Sequence, residues 1–324
     1  MTGEINRIVS EILGRHGPLI KIYLADGIST SSDGIGSQTV LQDWQAILYT
    51  NLSSSFKDVS TPTDVHGVRY GELERLMLGL IFAHAVYDYS DWGKGFIETC
   101  SDSPIKEEFV MVIQSMLPAK ISGKTESGEN HIQSNTSKSN HMHPLFDIEG
   151  HFILSDITKS QAVINRLKMH DSSMQDASDS LQLDHDLAYQ HLMSLDNEII
   201  REIIGVNIPD RILEYSKLVS CPLHLGHASQ AECHWSKIYE CQLALADVSD
   251  KENLLNRAFL VQYLDIAGAR AHKTGKIFLK DSIFASYCQL HHYLTALFGS
   301  DKSNENATKQ SYLQYLRSPI DTIL

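Results

Sequence analysis

Glu72-Leu73-Glu74-Arg75-Leu76-Met77-Leu78-Gly79-Leu80-Ile81-Phe82-Ala83-His84-Ala85-Val86-Tyr87 is the stretch on which the fold class turns. Leu73, Leu76, Met77, Leu80, Ile81 and His84 recur at spacings of three and four, which places them on one face of an α-helix. The unbroken apolar run from Leu76 to Val86 is only about half of the ~20 residues a membrane-crossing helix needs, and it contains His84. The stretch therefore reads as a core helix of a protein that is not inserted in a membrane.

The same period continues in both directions. Upstream, 39–52 predicts a helix with Val40, Trp44, Ile47 and Leu48 on one side. Glu4 to Leu13 predicts a short opening helix ended by Gly14 and Gly17-Pro18, and 19–25 fits a strand or a helical turn equally well. Ser29 to Gly36 and 58–65 carry loop composition. Downstream, Pro104 suits the first turn of a helix running to Leu117. Residues 118–144 are Ser, Asn, Lys, Gly, Thr and His with almost no apolar content, too little to offset the entropy of ordering them. They read as a flexible polar linker between an N-terminal helical region, 1–117, and a C-terminal one, 145–324. Two domains or one shared core interrupted by a long loop both fit.

The C-terminal region opens on the apolar patch Leu145-Phe146-Asp147-Ile148, and Ser155-Asp156 offers an N-cap for a helix to Met169. Asp171 to Asp186 reads as an acidic, exposed connection. Helices are expected at about 187–193, 196–204 and 209–219, then at Ala228 to Val248, Lys251 to Ala271, Lys280 to Phe298 and about 306–316. The expectation is an all-α globular bundle of roughly eight to eleven helices.

Composition narrows the partners. With 324 residues and 42% hydrophobic content, the chain can bury a sizeable core. A net charge of −13 argues against a nucleic-acid duplex, whose phosphates need clustered cations. The nearest cationic group, Arg270-Ala271-His272-Lys273 with Lys276, suits at most a small phosphorylated molecule. Five cysteines, an odd number with no C-x-x-C spacing, indicate reduced thiols and, with no apolar leader at the N-terminus, a cytoplasmic protein.

The chain holds 16 histidines. His131, His141 and His143 fall in the linker and are expected to be solvated. His227, Ala231, His234, Ile238, Cys241 and Leu245 share one predicted helical stripe, and Asp265 lies near the core face of the next helix. Of His291 and His292, one is expected to point inward. A buried carboxylate needs a partner or a cation. His227, His234 and Asp265 are therefore candidate metal ligands, the alternative being core residues with ordinary hydrogen-bond partners. Two further pairings admit the same choice: His84 with Asp88 four residues on, and His151 near Asp147 and Glu149. Asp184-His185-Asp186 reads as surface, and no G-x-S-x-G elbow occurs.

Leu254-Leu255-Asn256-Arg257-Ala258-Phe259-Leu260-Val261-Gln262-Tyr263-Leu264-Asp265-Ile266-Ala267-Gly268 resembles the signature helix of the HD-type metal-dependent phosphohydrolases. There a run of small and apolar residues leads to His-Asp-Ile-Gly, and the His and Asp both ligate metal. The preceding segment is similar, with His234 where a first metal-binding histidine stands, ahead of Ala244-Leu245-Ala246-Asp247. The resemblance covers about 221–298. Leu264 occupies the position of the family's histidine, Ile266-Ala267-Gly268 is one residue longer, and Asp281 lies near the place of the family's last aspartate. It implies an HD-like core in the C-terminal region. Bound there would be one or two divalent ions (Mn, Fe, Zn or Mg) held by His227, His234 and Asp265. His272 or His292 would serve as a further ligand or proton donor, and Arg270 or Lys273 would hold the phosphate. The implied activity is hydrolysis of a small phosphate ester or nucleotide. The rival expectation is a non-catalytic relative that binds a protein or small ligand, its buried polar residues serving only the fold.

Overall fold

The computed structural model describes residues 1–26, 43–55, 71–119, 143–171, 185–230, 233–300 and 304–318. The loops expected at Ser29 to Gly36 and 58–65, most of the 118–144 linker and most of the Asp171 to Asp186 connection lie outside them, as does Val40. The helices of the first half are α1 (Thr2–Asp26), α2 (Asp43–Ser55), α3 (Gly71–Tyr87), α4 (Asp91–Cys100), α5 (Glu107–Met116) and α6 (Phe146–Ser155). They are followed by α7 (Gln161–His170), α8 (His185–Ser194), α9 (Asn197–Ile204), α10 (Asp210–Leu223) and α11 (Trp235–Ala244). The chain closes with α12 (Lys251–Gly268), α13 (Ala271–Thr274), α14 (Asp281–Phe298) and α15 (Glu305–Arg317). The protein is all-α and has more helices than expected. The only β-pairing among the described residues is a single parallel bridge, Ser101 to Ile277. No helix among them is long and apolar enough to cross a membrane.

α3 is the centre. The residues expected on its apolar stripe are buried, and so are Leu78, Phe82, Ala83, Ala85 and Val86 on its other sides. A helix apolar all round belongs inside a protein, and α1, α4, α12 and α13 surround this one. α3 and α12 approach closely where glycines remove the side chain. A Cβ at Gly79 would lie 2.7 Å from the Leu264 carbonyl oxygen, and one at Gly268 would lie 2.1 Å from that of Arg75. One apolar core runs through residues on both sides of 118–144.

Three expectations change. α1 does not stop at Leu13; it continues through Gly14, Gly17 and Pro18 to Asp26. Proline lacks the N–H and normally breaks a helix. Here Leu19, Ile20, Tyr23 and Leu24 are buried beyond it, so tertiary packing outweighs the lost bond. The apolar patch at Leu145 starts a full helix, α6, and the cap that follows is Ser160, whose hydroxyl accepts the Val163 N–H of α7. The long helix expected from Ala228 is divided: residues His224–Gln230 form a 3₁₀ segment, and α11 begins only at Trp235.

Candidate metal centre

A buried cluster of ionisable groups lies where α1, α3 and α6 meet. Glu149, in the first turn of α6, is 1% exposed. Its Oε2 accepts Arg15 Nε at 2.8 Å and pairs with His16 Nε2 at 2.9 Å. Its Oε1 accepts Arg15 Nη2 at 2.7 Å and pairs with His84 Nε2 at 2.7 Å. Each oxygen thus has two partners, and Arg15 grips the carboxylate with the two-pronged geometry specific to guanidinium. Burial by itself would push the Glu149 carboxyl up. The hydrogen bonds from His16, His84 and Arg15 outweigh it and hold the group well below the usual carboxylate range.

His143, immediately before α6, completes the cluster. Its ring stacks on His84 with centroids 4.9 Å apart, and its Nδ1 lies 3.9 Å from Glu149 Oε1. That nitrogen accepts the Leu145 backbone N–H at 3.2 Å, so it carries no proton of its own. Burial, then the neighbouring His84 and Arg15, bring the His143 ring down to about 4 against the pull of Glu149. His143 is consequently neutral at pH 7, the form in which histidine ligates metal.

His84, His143 and Glu149 offer ligand atoms that all lie within 4.8 Å of one another. A tetrahedral ion with bonds of ~2 Å separates its ligands by about 3.3 Å. The two separations from Glu149 Oε1, 2.7 Å to His84 Nε2 and 3.9 Å to His143 Nδ1, straddle that value, and an ion held by Nδ1 would displace the Leu145 N–H from its lone pair. An ion here would take the place of the proton between His84 Nε2 and Glu149 Oε1. Arg15 and His16 would orient the carboxylate from behind, as outer partners of metal ligands do. The other side is open: a cleft of roughly 350 Å³ is lined by His84, His143, Tyr87, Asp88, Trp92, Pro144 and Arg7. Asp88 stands four residues beyond His84 and accepts Trp92 Nε1 at 2.8 Å.

Of the residues expected from the HD-type resemblance, His234, Asp265, His292 and Arg270 lie outside this cluster. His234 is exposed; it is the N-cap of α11, its Nδ1 accepting the Ser236 N–H, so it does not share an inward stripe with Cys241. Asp265 sits on α12 in contact with the Arg75 guanidinium of α3. Asp156, Lys159 and Glu72 complete that network, with Lys159 Nζ 2.9 Å from Asp156 and 3.2 Å from Glu72. Asp265 and His234 share no described partner, and neither belongs to a metal-ligating group among the described residues. His292 is exposed; His291 is the one turned inward, against Phe259 at 4.7 Å. Arg270 lies over the Phe278 ring, with Asp102 at 3.9 Å. The side chains of His227, His272 and Lys273, like all of His131 and His141, fall outside the described residues.

Of the clustered residues, His84 was legible from its place on the α3 stripe. His16 was legible only if α1 continues: Ile8, Ile12, His16 and Ile20 then form one buried row at spacings of four. His143 falls, by composition, in a solvated linker, and nothing in its neighbours' composition marks it. A different buried pair, His151 Nδ1 with Ser216 Oγ at 2.9 Å, has the residue types of a nucleophile and its base. Both residues are fully buried, so no substrate reaches them. Comparison with known protein families, curated proteins and solved structures finds no match to this chain.

Proposed function

We propose that the protein binds a divalent transition-metal ion through His84, His143 and Glu149 and uses it to hydrolyse a small phosphate ester. The convergence of two imidazoles that line an open cleft on one buried carboxylate behind them carries this reading. Two histidines and a glutamate with a free fourth position is a ligand set of catalytic rather than structural zinc sites. Such an ion activates water at neutral pH and polarises a phosphoryl oxygen. Arg7, which lines the cleft and pairs with Glu4 and Glu11, supplies a cation to an entering anion.

One observation favours a second reading. All four hydrogen-bonding positions of Glu149 are occupied without an ion, which suits a buried network that only locks α1, α3 and α6 in a non-catalytic helical module. His143→Ala separates the two, because His143 stands outside that network's short bonds. The measurements are metal content after chelator-free purification, titration of stripped protein with zinc and manganese, and hydrolysis of p-nitrophenyl phosphate. The metal reading expects near-stoichiometric binding in the wild type, a loss of at least tenfold in affinity in His143→Ala with the fold intact, and hydrolysis that follows occupancy. Wild-type protein that shows no saturable binding of either ion would leave the locking network alone standing.

A further inference from the structure

α10 and α11 meet at two cysteines. Cys221, in the last turn of α10, is half-buried, and Cys241, in α11, is buried. Their Sγ atoms lie 2.7 Å apart, closer than two thiols in ordinary contact and not far beyond the ~2.05 Å of a disulfide bond. We propose that Cys221 and Cys241 form a thiol–disulfide exchange site, closed by a low-molecular-weight disulfide and reopened by a thiol. The two sulfurs differ in the way an attacking and a resolving thiol should. Cys221 is the accessible one, and its hydrogen bond with Cys241, helped by Lys237, draws it down against burial and Glu240. Burial, and then Cys221 itself, push Cys241 up. Cys233, the other cysteine of this region, points its Sγ at the His234 carbonyl oxygen, 3.5 Å away, and burial raises it to about 11.

The step balances with glutathione disulfide as the oxidant. The Cys221 thiolate attacks one of its sulfurs, forming a mixed disulfide and expelling glutathione thiolate. Cys241 gives its proton to that thiolate and attacks Cys221 Sγ, forming the Cys221–Cys241 bond and releasing the second glutathione. Two protein thiols are oxidised, and one glutathione disulfide is reduced to two glutathione molecules. The bond spans 20 positions of chain and ties α11, whose main neighbour is α15, to α10, which packs on α12, α6 and α8.

The test uses the full chain in a buffer of equal glutathione and glutathione disulfide, quenched by acid, alkylated and digested with trypsin. Cleavage after Lys217, Lys237 and Lys251 places Cys221 and Cys233 on one peptide and Cys241 on the next. Fragment mass spectra are expected to show these peptides joined through Cys221 and Cys241, the link vanishing on reduction and persisting in Cys233→Ser. Cys221→Ser should abolish it, but the wild-type map decides even if that variant fails to fold. Full alkylation of Cys221 and Cys241 in the wild type, or a link from Cys241 to Cys233 instead, overturns the proposal.

Discussion

His151 and Glu149 stand two residues apart on α6 and show opposite ways of keeping a polar group inside a protein. Two positions on a helix do not face each other. Glu149 therefore meets Arg15, His16 and His84, whereas His151 meets Ser216 on the far side. The sequence put the two residues side by side and suggested one site, and the helical turn separates them. Glu149 stays charged because its partners hold it so. His151 stays neutral: burial first, then the Arg257 charge, bring it down to about 3. Its Nε2 has no hydrogen-bond partner among the described residues. The sign for stability follows. Above the ordinary value of 6.5 both folded and unfolded chains leave this ring neutral, and His151 adds no pH dependence. Between 6.5 and about 3 only the unfolded chain takes up the proton, so stability falls as pH falls, by about 1.4 kcal/mol per unit at most. His151→Leu removes this effect. Urea denaturation at pH 7 and pH 5 should show the wild type losing about 2 kcal/mol more than the variant over that interval. Equal losses would mean that the folded protein protonates His151 as readily as the unfolded chain does.

At the scale of the element, the helices that periodicity revealed are those whose apolar rows are long and uninterrupted: α3, α12 and α14. What it missed was decided by neighbours rather than by local sequence. Gly14, Gly17 and Pro18 are terminators by propensity, yet α1 runs through them because both of its halves bury apolar residues against α2, α3 and α6. α6 gave only a short apolar patch because Glu149 and His151, polar by type, are among its buried residues. Two glycine substitutions of the same kind should therefore have opposite signs. Gly14 is exposed within α1 with nothing within 4 Å of an added Cβ, so Gly14→Ala should stabilise by about 0.5–1 kcal/mol through helix propensity. Gly268 faces the Arg75 backbone, so Gly268→Ala should destabilise by roughly 1–3 kcal/mol despite the same gain in propensity. Thermal melts of the two variants check this. A lower midpoint for Gly14→Ala would mean that α1 breaks where the glycines and proline suggest.

For the molecule as a whole, the question is what residues 120–142 contribute. The core draws on helices before and after them, and His143, the first described residue beyond them, already stacks on His84. The polar composition that marked this stretch as a linker says nothing about its last residues, where one histidine joins the candidate metal centre. Replacing residues 120–139 with a Gly/Ser sequence of equal length leaves the closure entropy of the connection nearly unchanged. Only two large apolar side chains, Ile121 and Ile132, are removed with it. The melting midpoint should therefore move by no more than about 2 °C. Metal bound per chain should also be unchanged, because His84, His143 and Glu149 all remain. A fall of many degrees would show that the segment packs on the core. An unchanged midpoint with lost metal would show instead that a side chain of the segment, His131 being the one histidine removed, supplies a ligand that the three-residue site requires.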